Sequence, residues 1–186
     1  MSQKITAKQL AAHFHLKPLP VEGGMFARPY LSTDQCAGEL LPARYEGVDH
    51  AFCSAIYMLF TNEPDSFSAV HRLKTDEVFH FYLGDPFELL LLYPDGTSRT
   101  VVMGQDVLAG QQVQFVVPAG VWQGSRLLPG GEYALFGTTM TPAFSVSDFE
   151  AGSREELLQQ YPQEAERIRS LTRQGGERWM PEGAEA

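Results

Sequence analysis

His71-Arg72-Leu73-Lys74-Thr75-Asp76-Glu77-Val78-Phe79-His80-Phe81-Tyr82-Leu83-Gly84 is the stretch on which the reading of this chain turns. It sets a histidine, a carboxylate and a second histidine among strand-forming residues and closes on a glycine turn. Successive side chains of a strand point to opposite faces, so His80, three residues after Glu77, falls on the face Glu77 does not use. About thirty residues on comes Pro118-Ala119-Gly120-Val121-Trp122-Gln123. His71, Glu77 and Gln123 thus sit on three candidate strands. Polar side chains turned into a barrel must be paired, hydrated or used.

Around these two stretches the chain reads as a run of short strands. Residues 51–60, 66–73, 77–83, 87–93, 98–103, 113–117, 120–127 and 133–140 are apolar or alternating. Breakers separate them, among them Asn62, Pro64, Gly84-Asp85-Pro86, Pro94-Asp95-Gly96, Gly104, Gly110, Pro118 and Pro129-Gly130-Gly131. Many short strands at this spacing predict a β-sandwich or barrel. Leu89, Leu90, Leu91 and Leu92 make one strand apolar on both faces, which predicts cover on both sides. Ahead of the barrel, Thr6 with Gln9 forms a capping-box pattern for a short helix over 6–16, ended by Pro18 and Pro20. Residues 21–26 read as a turn leading into an extended segment, and 32–49 as loop. Beyond Phe149 the pattern turns helical. Ser153 with Glu156 is a second capping pattern, Pro162 starts another segment, and Ala165, Ile168 and Leu171 lie on one stripe. The expectation is a single domain over 1–173, mainly β, with the barrel at about 51–141 and a helical segment at about 153–173. Residues 174–186, rich in Gly and Glu, are expected to be a mobile tail with Trp179 exposed.

Composition narrows the function classes. The 186 residues carry a net charge of −9 and no Lys/Arg cluster, which argues against nucleic-acid binding because phosphate contact needs a basic face. Cys36 and Cys53 have neither metal-site nor disulfide-framework spacing and read as reduced thiols. Neither a signal-peptide core nor an apolar run of about 20 residues is visible. A soluble cytoplasmic protein with no membrane partner is the expectation.

The motif spacing resembles the cupin superfamily. His71, Glu77 and Gly84 stand at the first-motif positions, with Leu73 where the second histidine belongs. Pro118, Gly120 and Gln123 stand at second-motif positions, with Gln123 replacing the histidine and Leu127 the asparagine. A narrower resemblance covers roughly residues 5–173. It runs through Val21-Glu22-Gly23-Gly24, Arg28, Ser54-Ala55-Ile56-Tyr57, the opening stretch, Val117 to Gln123 and Asp148-Phe149-Glu150. It is similar to an RmlC-like jelly-roll cupin family of unassigned function. That resemblance implies a double-stranded β-helix (jelly-roll) barrel of the sugar-epimerase-like kind, paired into a homodimer, and no known reaction. The two-sided strand at 87–93 and the N-terminal arm add to the expectation of a second copy as partner.

Three function classes follow. Cupin metals sit among three imidazoles and one carboxylate. Here Leu73 cannot ligate, Gln123 offers only an amide, and His80 needs a β-bulge to join His71 and Glu77. No cofactor is expected, beyond a weakly held divalent metal. The first class is therefore a small-ligand-binding protein whose barrel takes a polar molecule such as a sugar or nucleotide-sugar, lined by Tyr57, His71, Glu77, Phe79, His80, Trp122 and Gln123. The second is an enzyme, a sugar epimerase or weak-metal cupin, with His71 as catalytic base and Glu77 polarising it. Phe136 stands near the position of the acid and cannot donate a proton, leaving Tyr57 or Tyr82 as substitutes. The third is a non-catalytic storage or interaction protein, in which His71 and Glu77 are tied up in internal bonds.

Overall fold

The computed structural model describes residues 5–184, and it is a two-sheet jelly roll. After helix α1 (Ala7–His13) come strands β1 (Lys17–Pro18), β2 (Met25–Leu31), β3 (Gln35–Cys36) and β4 (His50–Ala51). The barrel continues through β5 (Ser54–Thr61), β6 (Phe67–Leu73), β7 (Glu77–Gly84), β8 (Phe87–Leu92), β9 (Ser98–Met103), β10 (Gln114–Val117), β11 (Trp122–Leu127) and β12 (Tyr133–Met140). Strand β13 (Phe149–Ala151) and helices α2 (Arg154–Gln160) and α3 (Ala165–Ser170) follow. One sheet has the order β1-β2-β5-β12-β7-β10, the other β13-β6-β11-β8-β9, and β3 pairs with β4 alone. Every pairing between named strands is antiparallel, for example Glu77 with Met140 and Gln123 with His71.

Alternation explains what lies between the sheets. Phe60 of β5, Phe79 and Phe81 of β7, Phe87 of β8 and Phe136 of β12 all project inward and form the centre of the core. Phe136 stands 4.4 Å from Phe87 and 4.8 Å from Phe60 between ring centroids, and stacks on Phe79 at 6.0 Å. Such aromatic pairs contribute beyond the area they bury. The turn after β7 needs a glycine. Gly84 has φ +102°, and a Cβ there would stand 2.4 Å from the Tyr133 carbonyl oxygen.

The outer faces are covered by the chain's own helices. Leu10 of α1 packs with Leu59, Tyr133 and Leu135 on the first sheet. The Thr6–Gln9 capping box forms as its spacing predicts. On the second sheet, Leu90 and Leu92 meet Leu157, Tyr161, Ile168 and Leu171 from α2, the turn after it, α3 and its C-cap. The two-sided strand β8 therefore has both covers within one chain. It no longer argues for a second copy.

Three expectations are corrected. Residues 25–31, read as an extended lead-in, are a full strand that extends the first sheet through β5. Strand β13, in a segment left unassigned, adds to the edge of the second sheet beside β6. The third concerns 174–186, expected as a mobile tail. Through Ala184 this segment lies against the barrel. Met180 and Ala184 join the central core, and the Arg178 carbonyl accepts a hydrogen bond from the Ala151 amide. Arg178 also pairs with Glu150 at 2.7 Å, while Trp179 points outward and is exposed. Residues 185–186 lie outside the described residues. No helix among the described residues is long and apolar enough to cross a membrane.

Candidate functional site

Between the sheets, at the end away from the phenylalanine cluster, lies a chamber with about 500 Å3 of empty space, counted out to its opening. Much of that space is open to solvent, and the enclosed part is only about 40 Å3, room for a small molecule at most. Its walls come mostly from inward positions of four strands, with Leu73 of β6 added. Phe26 and Arg28 belong to β2, Ser54 and Ile56 to β5, Thr138 and Met140 to β12, and Glu77 to β7. Leu19, Glu22, Leu73 and Phe144 complete the lining, and Met180 of the C-terminal segment reaches it from outside the strands.

Glu77 is the centre of the polar wall. Its Oε2 accepts a 2.6 Å hydrogen bond from Gln123 Nε2, and Thr138 bonds the same carboxyl. Gln123 Nε2 also points at His71 Nε2, 3.4 Å away. His71 Nδ1 donates to the Ala69 carbonyl oxygen at 2.8 Å, which leaves Nε2 as the lone-pair nitrogen facing Gln123. The imidazole stacks on Phe149, 5.1 Å between centroids. Burial lowers the His71 pKa against the pull of Glu77, so the ring is held neutral. Burial also raises the Glu77 pKa. His71 opposes that rise, and the charge of Glu22 adds to it. Gln123 Oε1 is buried with no partner among the described residues.

Glu22 supplies the second acid of the chamber. Its Oε1 accepts 2.8 Å from Ser68 Oγ. Burial lifts its pKa to about 7, offset in part by Ser68 and by the Arg173 guanidinium. The chamber thus holds two carboxyl groups that both resist ionisation, set in largely apolar walls.

Of the seven residues expected to line one pocket, the structure brings His71, Glu77 and Gln123 together, with Phe79 inward in the core beside them. His71 and Gln123 stand behind Glu77 and do not line the chamber. Tyr57, His80 and Trp122 are elsewhere. The β7–β12 ladder runs in unbroken register from Glu77 to Phe81, so no bulge turns His80 inward, and its Nε2 bonds Thr139 Oγ1 at 3.0 Å on the outer face. Tyr57 lies on that outer face too, against Phe14 of α1 and Tyr82. Trp122 precedes Gln123 by one residue and so faces the C-terminal helices, with the Arg72 guanidinium 4.5 Å over its ring. Phe136, near the expected acid position, is buried among phenylalanines, and neither Tyr57 nor Tyr82 replaces it inside.

Arg28, Ser54, Thr138 and Glu22 were not singled out as pocket residues. The signal was present for three of them. Arg28 is in phase with Phe26, Ser54 with Ile56 and Met58, and Thr138 with Phe136 and Met140, so each is a polar residue at an inward position. The donor set does not fit a resident transition metal. Both ring nitrogens of His71 are engaged, the second-histidine position holds Leu73 packed in the core, and no group of three His, Cys, Asp or Glu among the described residues is arranged to hold an ion.

The match to known proteins agrees with this architecture. The family model described as Cupin superfamily (DUF985) matches residues 8–152. A hypothetical protein from Leishmania major superposes with a TM-score of 0.80 at 28% identity, over 91% of this chain and 100% of its own. A protein from Shewanella oneidensis does so at 0.77 and 31%, over 91% and 99%. An uncharacterised protein of Saccharomyces cerevisiae is 32% identical over 96 residues, 50% of this chain and 47% of the relative. The chain thus matches about half the length of that curated relative.

Proposed function

The chain belongs to the DUF985 family of the cupin superfamily, and from that premise we propose that it is a ligand-binding cupin whose barrel chamber takes a small molecule with a polar group directed at Glu77. The observation that carries this reading is the mounting of Glu77. Gln123 and Thr138 grip the carboxyl in a chamber walled by Leu19, Phe26, Ile56 and Leu73. With its pKa raised by burial, the carboxyl holds its proton more tightly than an exposed glutamate, and in that form it can donate a hydrogen bond to a ligand acceptor. A few convergent polar groups in an apolar concavity are the ordinary form of a small-molecule site.

His71 acts in this reading through Gln123 and Glu77, as a positioning residue. Its Nδ1 is committed to Ala69 and its Nε2 to Gln123, so a base role would first require breaking one of those bonds. No observation favours the epimerase reading, because the inward face offers no tyrosine opposite Glu77.

The test is a metabolite thermal-shift screen, followed by NMR of 13C-methyl methionine to place each hit against Met140. A ligand that binds only the folded form raises its stability. Glu77→Met should weaken a hit at least tenfold, with Thr138→Val as a second variant should Glu77→Met not fold. A hit that moves the Met140 methyl yet binds both variants like the wild type would refute the assignment of the site.

A further inference from the structure

Arg28 is the one arginine whose side chain has no partner among the described residues. Arg44 bonds the Lys74 carbonyl, Arg72 pairs with Glu150, and Arg99 and Arg126 lie over Phe115 and Phe67. The C-terminal arginines are engaged in the same way. Arg154 bonds Thr172, Arg167 and Arg169 pair with Glu164 and Glu166, Arg173 bonds the Val21 carbonyl, and Arg178 pairs with Glu150. Arg28 instead lines the chamber, half-buried on β2 and in phase with core residue Phe26.

The acids of the chamber do not neutralise it. Glu22 feels the charge of Arg173, and Glu77 feels those of His71 and Glu22. Arg28 is not among the charges that shift either carboxyl. The β2–β5–β12–β7 order separates it from Glu77 by two intervening strands, roughly 14 Å of backbone at about 4.8 Å per step. Phe26, Ile56 and Phe144 are among the apolar residues that share the chamber with these two poles. The chamber therefore has an unpaired cation, apolar walls and two buried carboxyls whose pKa burial raises. A guanidinium is a fork suited to planar or tetrahedral oxyanions, and it binds them more strongly where water is partly excluded.

Building on the binding reading above, we propose that the ligand is a short amphipathic anion, a carboxylate or a phosphate ester whose oxygens are held by Arg28 while its apolar stem runs along Phe26, Ile56 and Phe144 toward Glu77. A fixed cation without an internal counter-ion selects for negative charge. A neutral or cationic molecule of the same shape leaves Arg28 as it is and gains nothing from it. The small size follows from the chamber, which Met180 narrows.

The experiment is a titration of full-length protein carrying 13C-methyl methionine. The probes are butyrate, propyl phosphate, butanol and butylamine, at pH 6.5. The expected result is saturating shifts of the Met140 and Met180 methyls with butyrate or propyl phosphate, at concentrations at least about tenfold below those for butanol and butylamine. Whichever anion binds more tightly identifies the head group. Arg28→Gln should remove that advantage. Butanol or butylamine binding as tightly as the anions would overturn the anionic class while leaving the binding site itself standing. So would anion binding that survives Arg28→Gln, which would mean an arginine turned to solvent. Met140 and Met180 silent to all four probes would sink the anion proposal together with the binding reading.

Discussion

Glu22→Gln should make this protein more stable above neutral pH and leave it unchanged in acid. The wild-type carboxyl has its pKa raised from 4.5 to about 7, chiefly by burial, with Ser68 and Arg173 pulling it back down and the Glu77 carboxyl as its acidic neighbour. An acid with a raised folded-state pKa binds its proton more tightly folded than unfolded. Folding stability therefore falls as pH rises from about 4.5, where the unfolded group ionises, to about 7, where the folded group does. Above 7 the loss is constant. At about 1.36 kcal/mol per pH unit the rise corresponds to an upper bound of about 3.4 kcal/mol. Because the residue as a whole is not fully buried, about 2 kcal/mol is the figure to expect. Glutamine has the same shape, keeps an oxygen to accept from Ser68 Oγ, and has no charge to desolvate. It also removes the charge that raises Glu77 further, an effect of the same sign. The assay is urea unfolding of both proteins at half-unit steps from pH 4.5 to 9, with m-values compared to confirm that the transition is the same. The difference in stability should be near zero at pH 4.5, grow to pH 7 and level off. A difference independent of pH, or a variant less stable than wild type at pH 8, would show that Glu22 ionises freely and that the chamber is not the low-dielectric space described.

Two further substitutions probe the buried polar bonds. His50→Ala should cost about 3 kcal/mol in urea unfolding at neutral pH, because His50 Nε2 meets Asp148 at 2.7 Å with both side chains fully buried, and Asp148 Oδ1 already lacks a partner. The cost should shrink in acid as Asp148, whose pKa burial raises, becomes neutral, and a cost below 1 kcal/mol at pH 7 would contradict the pairing. Gln123→Ala should cost about 2–4 kcal/mol, since it strips a hydrogen bond from Glu77 and one from His71 in the same buried cluster, and a cost no larger than that of a surface substitution would show the cluster to be hydrated.

The barrel was legible because period-two alternation and turn residues are local signals. Strand β12 has the predicted bounds, and β6, β7, β8 and β11 differ from prediction by one or two residues at an end. Strand β2 was missed because Arg28-Pro29 breaks its apolar pattern, and the register does shift there, between Ala27 and Tyr30. At the site, motif spacing found the residues but could not assign all their directions. His71 and Gln123 converge because they are paired across β6 and β11, and Glu77 meets them from the opposite sheet, whereas Tyr57 and Trp122 are aromatics of neighbouring strands that face the other way. One residue along a strand is the difference between the chamber and the opposite face. Met180 was beyond reach for another reason. It enters the core from a Gly-rich segment with no periodicity, and only tertiary contact places it.

That placement has a consequence for anyone who edits this chain. The wall of the chamber is drawn from positions as far apart as Leu19 and Met180, so the cavity is a product of nearly the whole sequence length rather than of the strands that carry its polar groups. A version trimmed after Arg173 would retain the sequence of every strand, all three covering helices and the cluster of His71, Glu77 and Gln123, and would still lack a side of the vessel. Its chamber would be wetter and leakier, and the two reluctant acids would ionise closer to their ordinary range. Stability and occupancy are therefore separable properties here, and a shortened or C-terminally fused form that passes every folding check is the wrong material for a ligand search.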